Sequence, residues 1–142
     1  MVDRAPRPRS NLTPLPVTTT QVSSRWLGFP GVQPPLIGRD TDLAELEVLV
    51  SDPAVRLVSV TGAGGVGKTR LAIAAAQAVR EAFPAGAVFV SLASVRDHAL
   101  VISALARALN VPEAAERPLL DGVLAALREQ RVLLLLDNFE HV

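Results

Sequence analysis

Residues 62–69 read Gly-Ala-Gly-Gly-Val-Gly-Lys-Thr, and no other stretch limits so tightly what this chain can fold into. Glycine at 62, 64, 65 and 67 lets the backbone turn back on itself, so that successive amides face one concavity able to hold phosphate oxygens. Such a loop works where a strand feeds it and a helix leaves it, because the helix adds its first amides and the positive end of its dipole. The flanks read that way. Residues 56–61 carry Leu57, Val58 and Val60 as a strand would, and residues 68–82 are alanine-rich and read as a helix.

Every fixed position of G-x-x-x-x-G-K-[ST] is met. On that pattern Lys68 reaches the β- and γ-phosphates of a nucleoside triphosphate and the Thr69 hydroxyl becomes a magnesium ligand. Gly62, Ala63, Gly64, Gly65, Val66, Gly67 and Arg70 complete the set expected to hold the nucleotide. Composition singles out the lysine: 13 of the 14 basic residues are arginine, and Lys68 is the only lysine. A bias toward arginine spares a lysine where a compact ammonium on a flexible stem is the better fit.

A second feature lies near the carboxyl end. Residues 132–136 are Val-Leu-Leu-Leu-Leu, the continuous apolar run expected of a strand buried on both faces, and Asp137 follows at its tip. Beside a phosphate loop, an aspartate there holds magnesium directly or through water. Thr69 and Asp137 are therefore the metal candidates, and Lys68 and Asp137 the first catalytic ones. Hydrolysis also needs a group to orient the attacking water. Glu140 is the nearest carboxylate after Asp137, and a solvated loop residue is an equally open reading of it. His98 and His141 have no partner at metal or triad spacing and read as ordinary surface or helix-end residues.

The remaining organisation follows from punctuation and period. Residues 1–35 hold seven of the 11 prolines and show no period of 2 or 3.6, so they read as a proline-rich disordered leader. Trp26 and Phe29 lie inside it, either as a docking spot for a partner or, the favoured reading, tucked against the domain. The ordered domain is expected over residues 36–142. A first helix capped by Asp40 or Thr41 places Leu43, Leu46 and Val50 at helical spacing and stops before Pro53. A strand follows the loop helix at 87–92. Two more helices are expected at 97–109 and 118–129, the second turning Leu120, Val123, Leu124 and Leu127 inward. About three strands alternating with four helices give an α/β fold with a parallel sheet of the P-loop NTPase type, incomplete at this length.

Charge and composition exclude several classes. Fourteen basic residues balance 14 acidic ones, so no bulk field draws nucleic acid or an anionic membrane to this segment. The absence of cysteine excludes disulfides and thiolate metal sites. The start, Met-Val-Asp-Arg, leads into prolines and arginines rather than an apolar run, and residues 132–136 are too short to span a bilayer. A cytoplasmic protein is the expectation.

Three segments standing in order carry a resemblance: Leu36-Ile37-Gly38-Arg39, the loop from Thr61 through Lys68-Thr69-Arg70 to Ala72, and Leu134 through Asp137-Asn138-Phe139-Glu140 to Val142. Over roughly residues 35–142 the chain resembles the nucleotide-binding domain of STAND ATPases, the NB-ARC-like module of large bacterial regulators of the LuxR and SARP kinds. The resemblance implies ATP or ADP with Mg2+, with Ile37, Gly38 and Arg39 near the adenine. It implies a switch in transcriptional regulation or signalling, closed with ADP and assembled with ATP, in which self-association enters. It also implies a further strand between 56–61 and 132–136, and carboxy-terminal domains, so an amino-terminal fragment is expected. The alternatives are another P-loop enzyme, such as a small kinase, and a non-catalytic remnant.

Overall fold

The computed structural model describes residues 25–114 and 117–141. In chain order its elements are β1 (Arg25–Leu27), α1 (Asp40–Ser51), α2 (Lys68–Ala78), β2 (Gly86–Ser91), α3 (Val101–Ala108), α4 (Leu119–Leu127) and β3 (Leu133–Asp137). The three strands form one parallel sheet in the order β1-β2-β3, with Trp26 opposite Ala87 and Val90 opposite Leu136. Parallel strands need long crossovers, which the helices supply. The architecture is the α/β, P-loop NTPase type expected, with three strands and four α-helices among the described residues.

One of the three strands is not the one expected. Residues 56–61 form no strand and have no ladder partner among the described residues. Their alternation is nevertheless used. Val58 and Val60 pack against a cluster of Leu46, Leu71 and Ala75, while Leu57 stays 83% exposed. A period of two selects which side chains are buried, but a strand exists only where a neighbour accepts its backbone.

The third strand comes instead from the segment read as leader. Arg25–Leu27 pairs with β2, so the boundary drawn at residue 36 leaves out residues that belong to the sheet. Residues 1–24 lie outside the described residues. Trp26 stacks at a tilt on Phe29, ring centroids 4.8 Å apart, and Phe29 meets Phe89 of β2 at 5.8 Å. Between them, Gly28 has φ +73°, and a Cβ there would collide with the Phe89 carbonyl oxygen. The chain can pass this close to β2 only as glycine.

The main core lies where β2 meets α3 and α4. Val88, Val90, Leu92, Leu105, Ala106, Leu109 and Val123 form it, with Leu27, Leu127 and Leu134 packed around them. β2 is paired on both edges and buried along most of its length, as a central parallel strand should be. β3 departs from the expectation of burial on both faces: its leucines are only half-buried and Leu136 is exposed, because β3 is the last strand of the sheet. On α4, Val123 is buried and Leu127 half-buried, but Leu120 and Leu124 are exposed rather than inward.

The helix ends follow local chemistry. Asp40 and Thr41 lie inside α1 rather than capping it, and Arg39 holds the cap position. Asp97 caps the short turn leading into α3, accepting from the Ala99 amide at 2.9 Å. Asn110 at φ 55° and Glu129 at φ 61° turn the chain out of α3 and α4. No helix among the described residues is long and apolar enough to cross a membrane.

Candidate functional site

The glycine loop lies between residues 56–61 and the first turn of α2, exposed over residues 62–66. Gly67 occupies the cap position of α2 in the left-handed region, φ 87°, and its carbonyl accepts the Leu71 amide at 2.9 Å. A side chain at that φ would be strained, which is why the fixed glycine stands immediately before the lysine. α2 begins at Lys68 itself, so its unpaired first amides open onto the loop.

Lys68 folds back over the loop. Its Nζ donates to the Gly62 carbonyl at 2.9 Å and the Ala63 carbonyl at 3.1 Å. The ammonium is thus held above the same loop whose amides would cradle a phosphate, and the two carbonyls are partners it can exchange for phosphate oxygens. Thr69 faces the other way, toward the sheet. Its Oγ1 donates to Asp137 Oδ1 at 2.6 Å, a half-buried bond spanning 68 residues of sequence. This bond joins the loop to the tip of β3, which β2 holds in register through the Ser91–Asp137 pair.

The donor set fits magnesium. A hydroxyl and a carboxylate oxygen converge beside a loop suited to phosphate, and Mg2+ is commonly held by one or two carboxylates plus phosphate oxygens. Thr69 and Asp137 would hold the ion, whose role would be to neutralise charge on the phosphates.

The other expected residues are distributed unevenly. Glu140 is exposed on the short turn Phe139–His141, reached through Asn138 at φ 62°, and no hydrogen bond ties it to the loop among the described residues. Ile37 is 89% exposed, and Gly38 is exposed beside it. Arg39 does reach the loop. Its Nη2 donates to the Val66 carbonyl at 3.0 Å, and its Nη1 pairs with Asp42 Oδ2 at 2.6 Å. Arg70, from the first turn of α2, reaches back to the Pro34 and Pro35 carbonyls at 2.9 and 3.0 Å.

Sequence reasoning placed Arg39 and Arg70 at the site without foreseeing these bonds, and it missed Asp42 and the two prolines. The signal available was the position of each arginine at the start of a helix, next to a glycine- or proline-rich turn. Between the two arginines lies a hollow of about 210 Å³ lined by Pro35, Leu36, Leu43, Ala74 and Gln77 as well. A larger hollow of about 510 Å³ lies at the far end of α2, where Glu47 and Glu81 line it. Carboxylates at a helix carboxyl end repel phosphate, so that hollow is not a continuation of the site.

A family model described as AAA domain matches residues 54–142, the span that holds the loop, Asp137 and every element from α2 to β3. Among curated proteins, the chain is 40% identical over 89 residues to a Mycobacterium bovis protein provisionally named an HTH-type transcriptional regulator, covering 61% of this chain and 10% of that one. It is 35% identical over 121 residues to Regulatory protein AfsR of Streptomyces griseus, covering 78% of this chain and 12% of the relative. An uncharacterized protein of Mycobacterium tuberculosis is 34% identical over 106 residues, 75% of this chain and 26% of its own length. The chain therefore spans between a tenth and about a quarter of the relatives it matches. No solved structure matches it.

Proposed function

Because the chain belongs to the AAA domain family, we propose that it is the phosphate-binding part of a nucleotide-dependent switch, taking ATP or ADP with magnesium, within a bacterial regulator of transcription. The observation that carries the reading is the convergence of Lys68, Thr69 and Asp137 on one loop: an ammonium over the loop carbonyls, and a hydroxyl bonded to a carboxylate at 2.6 Å. Those groups supply what a magnesium triphosphate needs: a cation for the phosphates and hard oxygens for the metal. The names of the mycobacterial and Streptomyces relatives support the regulatory half.

In this reading the base lies toward Ile37, Gly38 and Arg39, next to the small hollow that Leu36, Arg39 and Leu43 help to line. The switch is of the STAND, NB-ARC-like kind: closed with ADP, assembled with ATP, and cytoplasmic. Glu140 is left outside the binding set and enters only if hydrolysis occurs.

Calorimetric titration tests the reading. The wild-type chain should bind MgATP and MgADP, and Lys68→Ala should lose about 2–5 kcal/mol of affinity, roughly 30-fold to several thousandfold, as one partner of a desolvated charge pair is removed. Unchanged affinity in the variant would mean that the loop does not hold phosphates. Sedimentation of the chain with each nucleotide tests the switch, and identical profiles with ATP and ADP would remove it.

A further inference from the structure

Arg39 is joined to the loop by a contact that has nothing to do with a base. Its guanidinium is braced by Asp42 on one side at 2.6 Å and donates to the Val66 carbonyl on the other at 3.0 Å, across 27 residues of sequence. Val66 precedes Gly67, the left-handed residue at the cap of α2. In a trans peptide the carbonyl and the next amide point in opposite directions. Drawing the Val66 oxygen onto Arg39 therefore turns the Gly67 N–H away from Arg39 and fixes the plane of the peptide that leads into Lys68.

The segment carrying Arg39 is itself tied down from the loop side. Arg70 donates to the Pro34 and Pro35 carbonyls at 2.9 and 3.0 Å. Residues 34–39 and the loop-to-helix junction thus hold each other through two arginines working in opposite directions. Ile37, midway along the segment and almost wholly exposed, adds little anchorage of its own. Charge-assisted bonds to carbonyls are stronger than neutral ones, and a loop held in its binding conformation loses less freedom when a ligand arrives.

We propose that Arg39 is a positioning residue for the phosphate loop: it acts through the Val66 carbonyl to preset the Gly67 amide, and Asp42 holds it to that task. The proposal rests on the reading that the loop binds a triphosphate, and it gives Arg39 a role on the phosphates rather than on the base.

The test compares MgATP with magnesium tripolyphosphate, which has the phosphates and no base, on the 142-residue chain. Arg39→Ala should weaken both ligands by the same factor, about tenfold, as part of one charged hydrogen bond's contribution is lost. Asp42→Ala, which keeps the guanidinium but removes its brace, should weaken both by a smaller shared factor, about threefold. Arg39→Lys can serve one partner but not both, and should recover part of the affinity; it also stands in should the alanine variant fail to fold by circular dichroism. A loss for MgATP with tripolyphosphate unchanged would place Arg39 on the base or sugar and overturn the proposal. So would unchanged affinity for both ligands. If the wild-type chain binds neither, the loop reading fails first and the proposal falls with it, a result distinguishable because no variant is needed to see it.

Discussion

β2 and residues 56–61 are both short apolar stretches that precede a loop, Ala-Val-Phe-Val in one and Leu-Val-Ser-Val in the other. β2 is paired on both edges, and Val88 and Val90 are buried in the main core. Residues 56–61 pack Val58 and Val60 onto helices α1 and α2 and pair with nothing among the described residues. The difference divides the molecule by task. The half built on β2, α3 and α4 holds the larger cluster of buried apolar side chains. The half built on α1, α2 and the glycine loop has a smaller cluster and carries the exposed amides and charged side chains that a nucleotide would use. A loop that is to accept a ligand cannot also be packed shut, and residues 62–66 are exposed.

The sharpest way to break this division is to damage the packed half and ask whether the whole chain fails. Leu92, at the end of β2, is fully buried among residues of the main core. Leu92→Ala should cost about 2.7–5 kcal/mol of unfolding free energy, read by urea denaturation, since the lost transfer energy adds to that of the cavity left behind. Domains of this size have roughly 5–15 kcal/mol in total. A loss under about 1 kcal/mol would mean that the main cluster is not where stability lies.

Asp137 tests the seam between the halves, because it belongs to the sheet and bonds the loop. Asp137→Asn keeps the shape and an oxygen able to accept from Thr69, but removes the charge that acts on a metal. Magnesium-dependent triphosphate binding should fall by about 10- to 100-fold, while binding measured in excess chelator stays within a factor of about two. Equal losses with and without magnesium would make Asp137 a structural tie between β3 and the loop and not a metal ligand.

What could be read in advance divides along physical lines. The loop was legible because its chemistry demands particular residue types at fixed spacing, and Asp137 because it ends a continuous apolar run; the structure brings Thr69 and Asp137 within 2.6 Å. The four helices were legible from their period and stops. β1 was not, because Arg25-Trp26-Leu27 is too short to show a period and lies within the proline-rich first 35 residues; Trp26 and Phe29 around Gly28 were its only trace. Helical spacing puts Leu120 and Leu124 on the apolar face of α4 without saying what covers all of that face, and both are exposed. The bond from Arg39 to Val66 has no periodic signature at all, since it joins two turns that only the packing of α1 on α2 brings together.

The smallest expected effect probes the other side of the opening comparison. Leu57 is apolar, sits in a strand-like pattern and is 83% exposed, whereas its neighbours Val58 and Val60 are half-buried. If residues 56–61 serve the fold only through the side chains they turn toward α1 and α2, Leu57→Ser removes no packed surface. Its unfolding free energy should then change by less than about 0.5 kcal/mol, as for surface substitutions elsewhere. A loss of about 1 kcal/mol or more would show that Leu57 is covered in solution. Two covers would then be separated by concentration, because a second copy makes the thermal midpoint rise with protein concentration and a segment of the same chain does not. The edge of β3 that β2 leaves free, without a partner among the described residues, gives this measurement its interest, since such an edge is where another strand would add. With Leu57→Ser neutral and the midpoint independent of concentration, the two regions differ as described, one a strand because it is paired and the other a packed connector that delivers the chain to the loop.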